Sequence, residues 1–220
     1  MLQLGPRVAP AEQTMTGVVR EILADHRFTA ITAAEVRRTT DFLHKIIDLI
    51  RGCGFAVAIF SDRTPARTLA NIFFEIGVAG VLGKPVQLVW SGGNRRSSAA
   101  PTDFIRTEWI RYMPGEEDQF RRDVGDAITQ IEDGAAFYTK IGTVALDAPD
   151  PDLELAFERF KQAVLIADDA EARQGIISVC DRLSEAVRLR RGDARDDMAS
   201  HRSRLLQSVS EFIGLLPPQA

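Results

Sequence analysis

Along the chain, apolar residues fall into three kinds of pattern: helical stripes, short unbroken runs, and polar breaks between them. Met15, Val18, Val19, Ile22 and Leu23 recur at helical spacing and predict a helix over residues 11–24. Phe28 to Ile31 reads as a short strand, and Thr32 to Thr40 as a polar connection. Phe42, Leu43, Ile46, Ile47 and Ile50 form the inner face of a second helix over 41–51, with Asp41 at its start. Phe55 to Phe60, FAVAIF, is apolar without alternation, which suits a parallel strand covered on both faces. Leu69 to Gly83 follows as a helix in which Glu75 is the only charged side chain. Gly83 suits the left-handed residue that ends a helix, and Pro85 cannot continue one. Val86 to Trp90 is short, apolar and β-prone. Glu108 to Met113 has the mixed composition of an edge strand. Met1 to Leu4 reads either as a first strand, with Gly5-Pro6 as the turn after it, or as a frayed terminus.

The second half changes character. Phe120, Val124, Ile128 and Ile131 make a stripe over 116–133, and beyond Gly134 the pattern predicts no strand. Helices are predicted over 135–146, 153–166, 170–189 and 198–216, broken by Ala148-Pro-Asp-Pro151 and by the charged stretch 190–197. The expected fold class is therefore α/β: a flavodoxin- or Rossmann-like parallel sheet flanked by helices over residues 1–133, then a helical bundle over 134–220.

Composition narrows the function classes. The chain has 220 residues, 45% of them hydrophobic, and a formal net charge of −4. Its pI near 5.5 argues against general electrostatic binding to nucleic acid. Two distant cysteines, Cys53 and Cys180, suggest neither a disulfide framework nor a metal knuckle, and so a reducing compartment. The longest apolar run, near Ile76 to Leu82, is too short to span a membrane. The N-terminus lacks the basic flank and long apolar core of a signal peptide. Together these predict a cytoplasmic protein with no membrane partner.

The candidate chemistry lies around the FAVAIF strand. In open α/β sheets, ligands bind beyond the carboxyl ends of the strands. Ser61-Asp62 stands at such an end, and Asp62 reads equally as a ligand-binding residue or as a turn or capping aspartate. Glu75 sits among Phe73, Phe74, Ile76 and Val78, where lost hydration raises a carboxyl pKa toward the range useful for catalysis. Asn71, one turn earlier, can orient Glu75, bind a sugar hydroxyl, or satisfy backbone groups at a helix start. Asp62, Asn71 and Glu75 are expected to converge on one cleft, with Gln3 and Gly5 lining it if the first strand forms. Ser91 to Pro101, SGGNRRSSAAP, reads as a surface loop whose Arg95-Arg96 pair can contact phosphate. His26, His44 and His201 have no metal-ligand spacing, and no metal is expected. Walker, G-x-G-x-x-G and nucleophile-elbow patterns do not occur.

Asn71-Ile-Phe-Phe-Glu75-Ile-Gly77-Val-Ala79, followed by Leu82-Gly-Lys-Pro-Val86, resembles the signature of the nucleoside 2-deoxyribosyltransferase-like families. Those families are related in fold to Toll/interleukin-1 receptor-like (TIR-like) domains. The match covers about residues 56–90, and looser similarity covers 1–113. It departs from the family pattern in an abbreviated first strand, and in Arg67-Thr-Leu-Ala-Asn71 where the family has N-P-N-V. The resemblance implies cleavage or transfer at an N-glycosidic bond of a nucleoside, nucleotide or NAD, with Glu75 as nucleophile or oxocarbenium stabiliser. It also implies Asp62 and Asn71 as substrate-binding residues, no cofactor beyond NAD as a substrate, and a homo-oligomer. Its alternatives are a nucleotide-sensing module without turnover, or a helical scaffold, in settings such as bacterial anti-phage defence.

Overall fold

The computed structural model describes residues 9–32, 35, 42–92, 109–189 and 197–216. The chain divides into two compact units, Met1–Ile131 and Glu132–Ala220. The first is an α/β unit. Its elements run α1 (Pro10–Asp25), α2 (Phe42–Gly52), β1 (Ala56–Ser61), α3 (Ala66–Val81), β2 (Val86–Ser91), β3 (Trp109–Tyr112) and α4 (Glu117–Asp133). The three strands form one sheet in the order β1-β2-β3, parallel throughout, with Ala56 opposite Val86 and Leu88 opposite Trp109.

The sheet is covered on both faces. Val57, Ile59, Val89, Ile110 and Tyr112 meet Met15, Val19 and Ile22 of α1 and Phe120, Val124 and Ile128 of α4. Phe60, Leu88 and Trp90 meet Leu69, Ile72 and Ile76 of α3 on the other side. Phe60 and Trp90 each stand edge-on to Trp109, at 5.3 and 6.3 Å between ring centroids. α2 lies against α3 through Ile46, Ile50 and Ala79.

Helix α3 ends as its sequence dictates. Gly83 has φ 66°, its N–H bonds to the Gly80 carbonyl, and the Lys84 N–H reaches back to Ala79. These are the two bonds of a Schellman cap, and they turn the chain into Pro85 and β2. One predicted strand does not form: Phe28–Ile31 makes no ladder among the described residues. Phe28 and Ala30 instead pack on the α1 side of the core, Phe28 edge-on to Phe55 at 5.0 Å. Ring packing anchors this segment where a strand would need a neighbour for its backbone. Met1–Leu4, the Arg95-Arg96 loop and the charged stretch 190–196 lie outside the described residues.

The second unit is helical: α5 (Ala135–Asp147), α6 (Leu153–Ala167), α7 (Ala170–Leu189) and α8 (Asp197–Leu215). Each helix packs on the next. Phe160 of α6 is 1% exposed and lies between glycines of two neighbours. A Cβ on Gly142 of α5 would stand 2.7 Å from its ring, and one on Gly175 of α7 would stand 2.5 Å away. The missing side chains are what let three helices close on one ring. Arg182 of α7 also donates to the Leu146 carbonyl at the end of α5, at 2.6 Å.

Gly142→Ala and Gly175→Ala are each expected to destabilise the helical unit by roughly 1–2 kcal/mol, overpacking outweighing alanine's helix preference. Thermal unfolding checks this, and Phe160→Leu added to either variant should recover part of the loss.

Candidate functional site

The α/β unit offers two polar places, and they are not the same place. The first is the carboxyl side of the strands. Asp62 follows β1, is exposed, and is tied to β2 by its N–H bonding to the Ser91 carbonyl at 3.0 Å. Its carboxylate lies over Gly92 in the space a Cβ would fill, so only glycine leaves Asp62 where it is. Arg111, near the end of β3, donates to the Gly92 carbonyl at 3.1 Å and lies 5.8 Å above the Trp90 ring. Asp62, Gly92 and Arg111 thus occupy the α3 side of the tips.

The opposite side of the tips carries a second cluster. Ser61 donates its hydroxyl to Glu12 Oε1 at 2.6 Å, and the Thr64 hydroxyl bonds to the same oxygen. The Ser61 N–H donates to Thr64 Oγ1 at 2.7 Å. Ser61 and Thr64 are buried and Glu12 is half-buried. At the end of β3, Tyr112 donates to Glu117 at 2.9 Å. Burial first, then this bond, push the Tyr112 hydroxyl above its usual range. The Gly115 N–H, which bonds the same carboxylate, holds Glu117 below its own.

The second place surrounds Glu75. Its side chain is 8% exposed. It lines a cavity of about 20 Å³ with Ile50 of α2, Ala56 to Ile59 of β1, Ile72 and Ile76 of α3, and Val86 of β2. No hydrogen bond or ion pair to a described residue reaches the carboxyl, and desolvation raises its pKa from 4.5 to about 7. Ala56 to Ile59 and Val86 belong to the beginnings and middles of their strands. Glu75 is nine residues beyond the start of α3, roughly 13 Å down the helix axis. A cavity this small holds about one water, and a nucleoside does not fit.

The residues singled out from sequence are therefore not brought together. Asp62 stands at the tips. Glu75 is buried against the first half of the sheet. Asn71 is exposed although it is one turn from Glu75, because at 100° per residue four positions leave a 40° offset, enough to pass the edge of the buried stripe. Gln3 and Gly5 lie outside the described residues. Glu12 was not legible as a site residue. Its sequence signal is that of a glutamate in the first helical turn, a role it also performs by accepting from the Ala9 N–H at 3.4 Å.

Among the described residues, no group of three or more histidine, cysteine or acidic side chains is placed to hold a metal. No described helix is long and apolar enough to cross a membrane. Comparisons with family models, curated proteins and solved structures find no match for the chain.

The Glu75 pKa carries a sign for stability. The folded state holds the proton more tightly than the unfolded chain, so the favourable contribution is complete below about pH 4.5. It is lost as pH rises through about 7. The full loss is of order 3 kcal/mol, at about 1.4 kcal/mol per pKa unit. Glu75→Gln is expected to be more stable than the wild type at pH 8.5 by up to about that amount, and similar to it near pH 4.5. Denaturant midpoints of the two proteins across this pH range measure the difference.

Proposed function

We propose that the α/β unit is a binding module for a nucleoside, nucleotide or NAD, with the ligand at the carboxyl ends of the strands beside Asp62 and Gly92. The observation that carries this reading is the tip itself, where an exposed carboxylate rests on a glycine at the end of parallel strands. Such ends are where open α/β sheets take ligands. We also read the sheet as flavodoxin- or Rossmann-like, which parallel pairing with helices on both faces supports. The nucleoside 2-deoxyribosyltransferase-like signature supports the ligand class. A homo-oligomer and a cytoplasmic location remain proposals on the same footing.

A specific observation favours a second reading, N-glycosidic bond cleavage or transfer. Glu75 has a carboxyl pKa of about 7 and no partner among the described residues. A carboxylate so placed can attack or stabilise an oxocarbenium-like centre once the sugar reaches it. In this reading α2 and α3 must part from each other or from the sheet, because the cavity as it stands admits only about one water. The size and position of that cavity put binding ahead of turnover.

Calorimetry with NAD, nucleosides and nucleotides, followed by chromatography for released base, separates the two. For binding alone, a ligand is taken up, Asp62→Asn weakens it by about tenfold or more, Glu75→Gln leaves it unchanged, and no base appears. Base release that vanishes in Glu75→Gln, and that rises in rate with pH through about 7 as the carboxylate forms, would establish the second reading instead. No uptake of any member of the panel would defeat both.

Gly92→Ala offers an independent check. Its Cβ would displace the Asp62 carboxylate, so it should weaken the ligand as Asp62→Asn does. Its effect on the melting temperature should be small, because Asp62 is exposed.

A further inference from the structure

We propose that Glu12 is a positioning residue: it sets the turn after β1, Ser61 to Thr64, and through it the place of Asp62 at the strand tips. The inference rests on the tips being the ligand site. The turn is held by backbone bonds and by side chains that meet at one carboxylate oxygen. Glu12 Oε1 accepts from the Ser61 hydroxyl at 2.6 Å and from the Thr64 hydroxyl. Those residues are the first and last of the turn. Thr64 Oγ1 accepts in addition from the Ser61 N–H at 2.7 Å, and Ser61 Oγ accepts from the Arg63 N–H at 3.2 Å. The Thr64 N–H bonds to the Ser61 carbonyl at 3.0 Å, closing the turn. Asp62 lies inside this frame and is further fixed by its N–H on Ser91.

Glu12 is joined in turn to the rest of the unit. It belongs to α1, whose Met15, Val18 and Val19 are buried against the sheet, and its Oε2 accepts from the Ala9 N–H. The carboxylate therefore ties the turn to a packed helix across 49 residues of chain to Ser61 and 52 to Thr64. Ser61 and Thr64 are 4% and 8% exposed. Removing Glu12 leaves two buried hydroxyls without their shared acceptor, which costs more than the bonds themselves contribute. The turn is then expected to relax, and Asp62 to leave Gly92.

The role needs an acceptor oxygen at a given reach, not a charge. Glu12→Gln keeps that oxygen and gives up only the long bond from the Ala9 N–H. Glu12→Asp keeps the charge but is one methylene too short, and Glu12→Ala keeps neither. Two measurements on the full-length protein are made for each variant: amide hydrogen exchange across residues 61–64 without ligand, and calorimetric affinity for NAD and the nucleotide panel. The expected result is faster exchange in the turn and affinity weakened by about tenfold or more in Ala and Asp, with Gln close to wild type in both. Thr64→Val tests the same bond from the other side should the Glu12 variants fold poorly, and it should speed exchange in the turn likewise.

Unchanged exchange at 61–64 in Glu12→Ala or Glu12→Asp overturns the proposal. So does a Gln variant as impaired as Ala, which would point to charge. Faster exchange with full ligand affinity overturns the link to the ligand. If the wild type takes up no ligand, the functional reading fails on its own, and the exchange data alone decide whether Glu12 holds the turn.

Discussion

The α/β unit depends on a sheet that has no solvent face. Parallel strands whose side chains are apolar on both sides are stable only when helices cover both. Here α1 and α4 cover one face and α3 the other. Once both faces are closed, the strand ends are what remain for polar chemistry. The carboxyl ends accordingly carry Glu12, Ser61, Asp62, Thr64, Gly92, Arg111 and Tyr112 within a few residues of one another along three strands and a helix start. The concentration of polar groups there is a consequence of the covering and needs no separate cause.

Glu75 is the exception to that division, since it is a carboxyl inside the covered region. Its described neighbours in the cavity are aliphatic, and desolvation among them is the main cause of its near-neutral pKa. At neutral pH the group is close to half-protonated, and each ionisation works against the fold. In the binding reading proposed above, Glu75 takes no part in holding the ligand. In the second reading, it meets the sugar. The difference between the two is whether α2 and α3 separate.

The helical unit is held by a different device. Its helices follow one another in space as in sequence, and a phenyl ring sits between two glycine backbones. Phe157 and Phe212 stack edge-on at 6.0 Å, with the Lys161 ammonium 5.6 and 5.9 Å from the two rings.

Local order was written plainly in the residues. Helical stripes placed α1 to α8 to within a few positions, FAVAIF declared a buried parallel strand by lacking alternation, Val86–Trp90 declared a strand by its short β-prone run, and Gly83-Lys-Pro85 announced the stop between α3 and β2. These follow from forces acting within a few residues: periodic burial, glycine's freedom at positive φ, proline's lack of an N–H. Phe28–Ile31 misled because a strand is defined by a neighbour, and four residues of pattern do not reveal whether one is present. Asn71 and Glu75 misled in the same way, since a shared helical face does not say where that face meets solvent. The meeting of Glu12 with Ser61 and Thr64 was beyond reach altogether. It joins groups about fifty residues apart, and only the docking of α1 onto the finished sheet brings them within bonding distance.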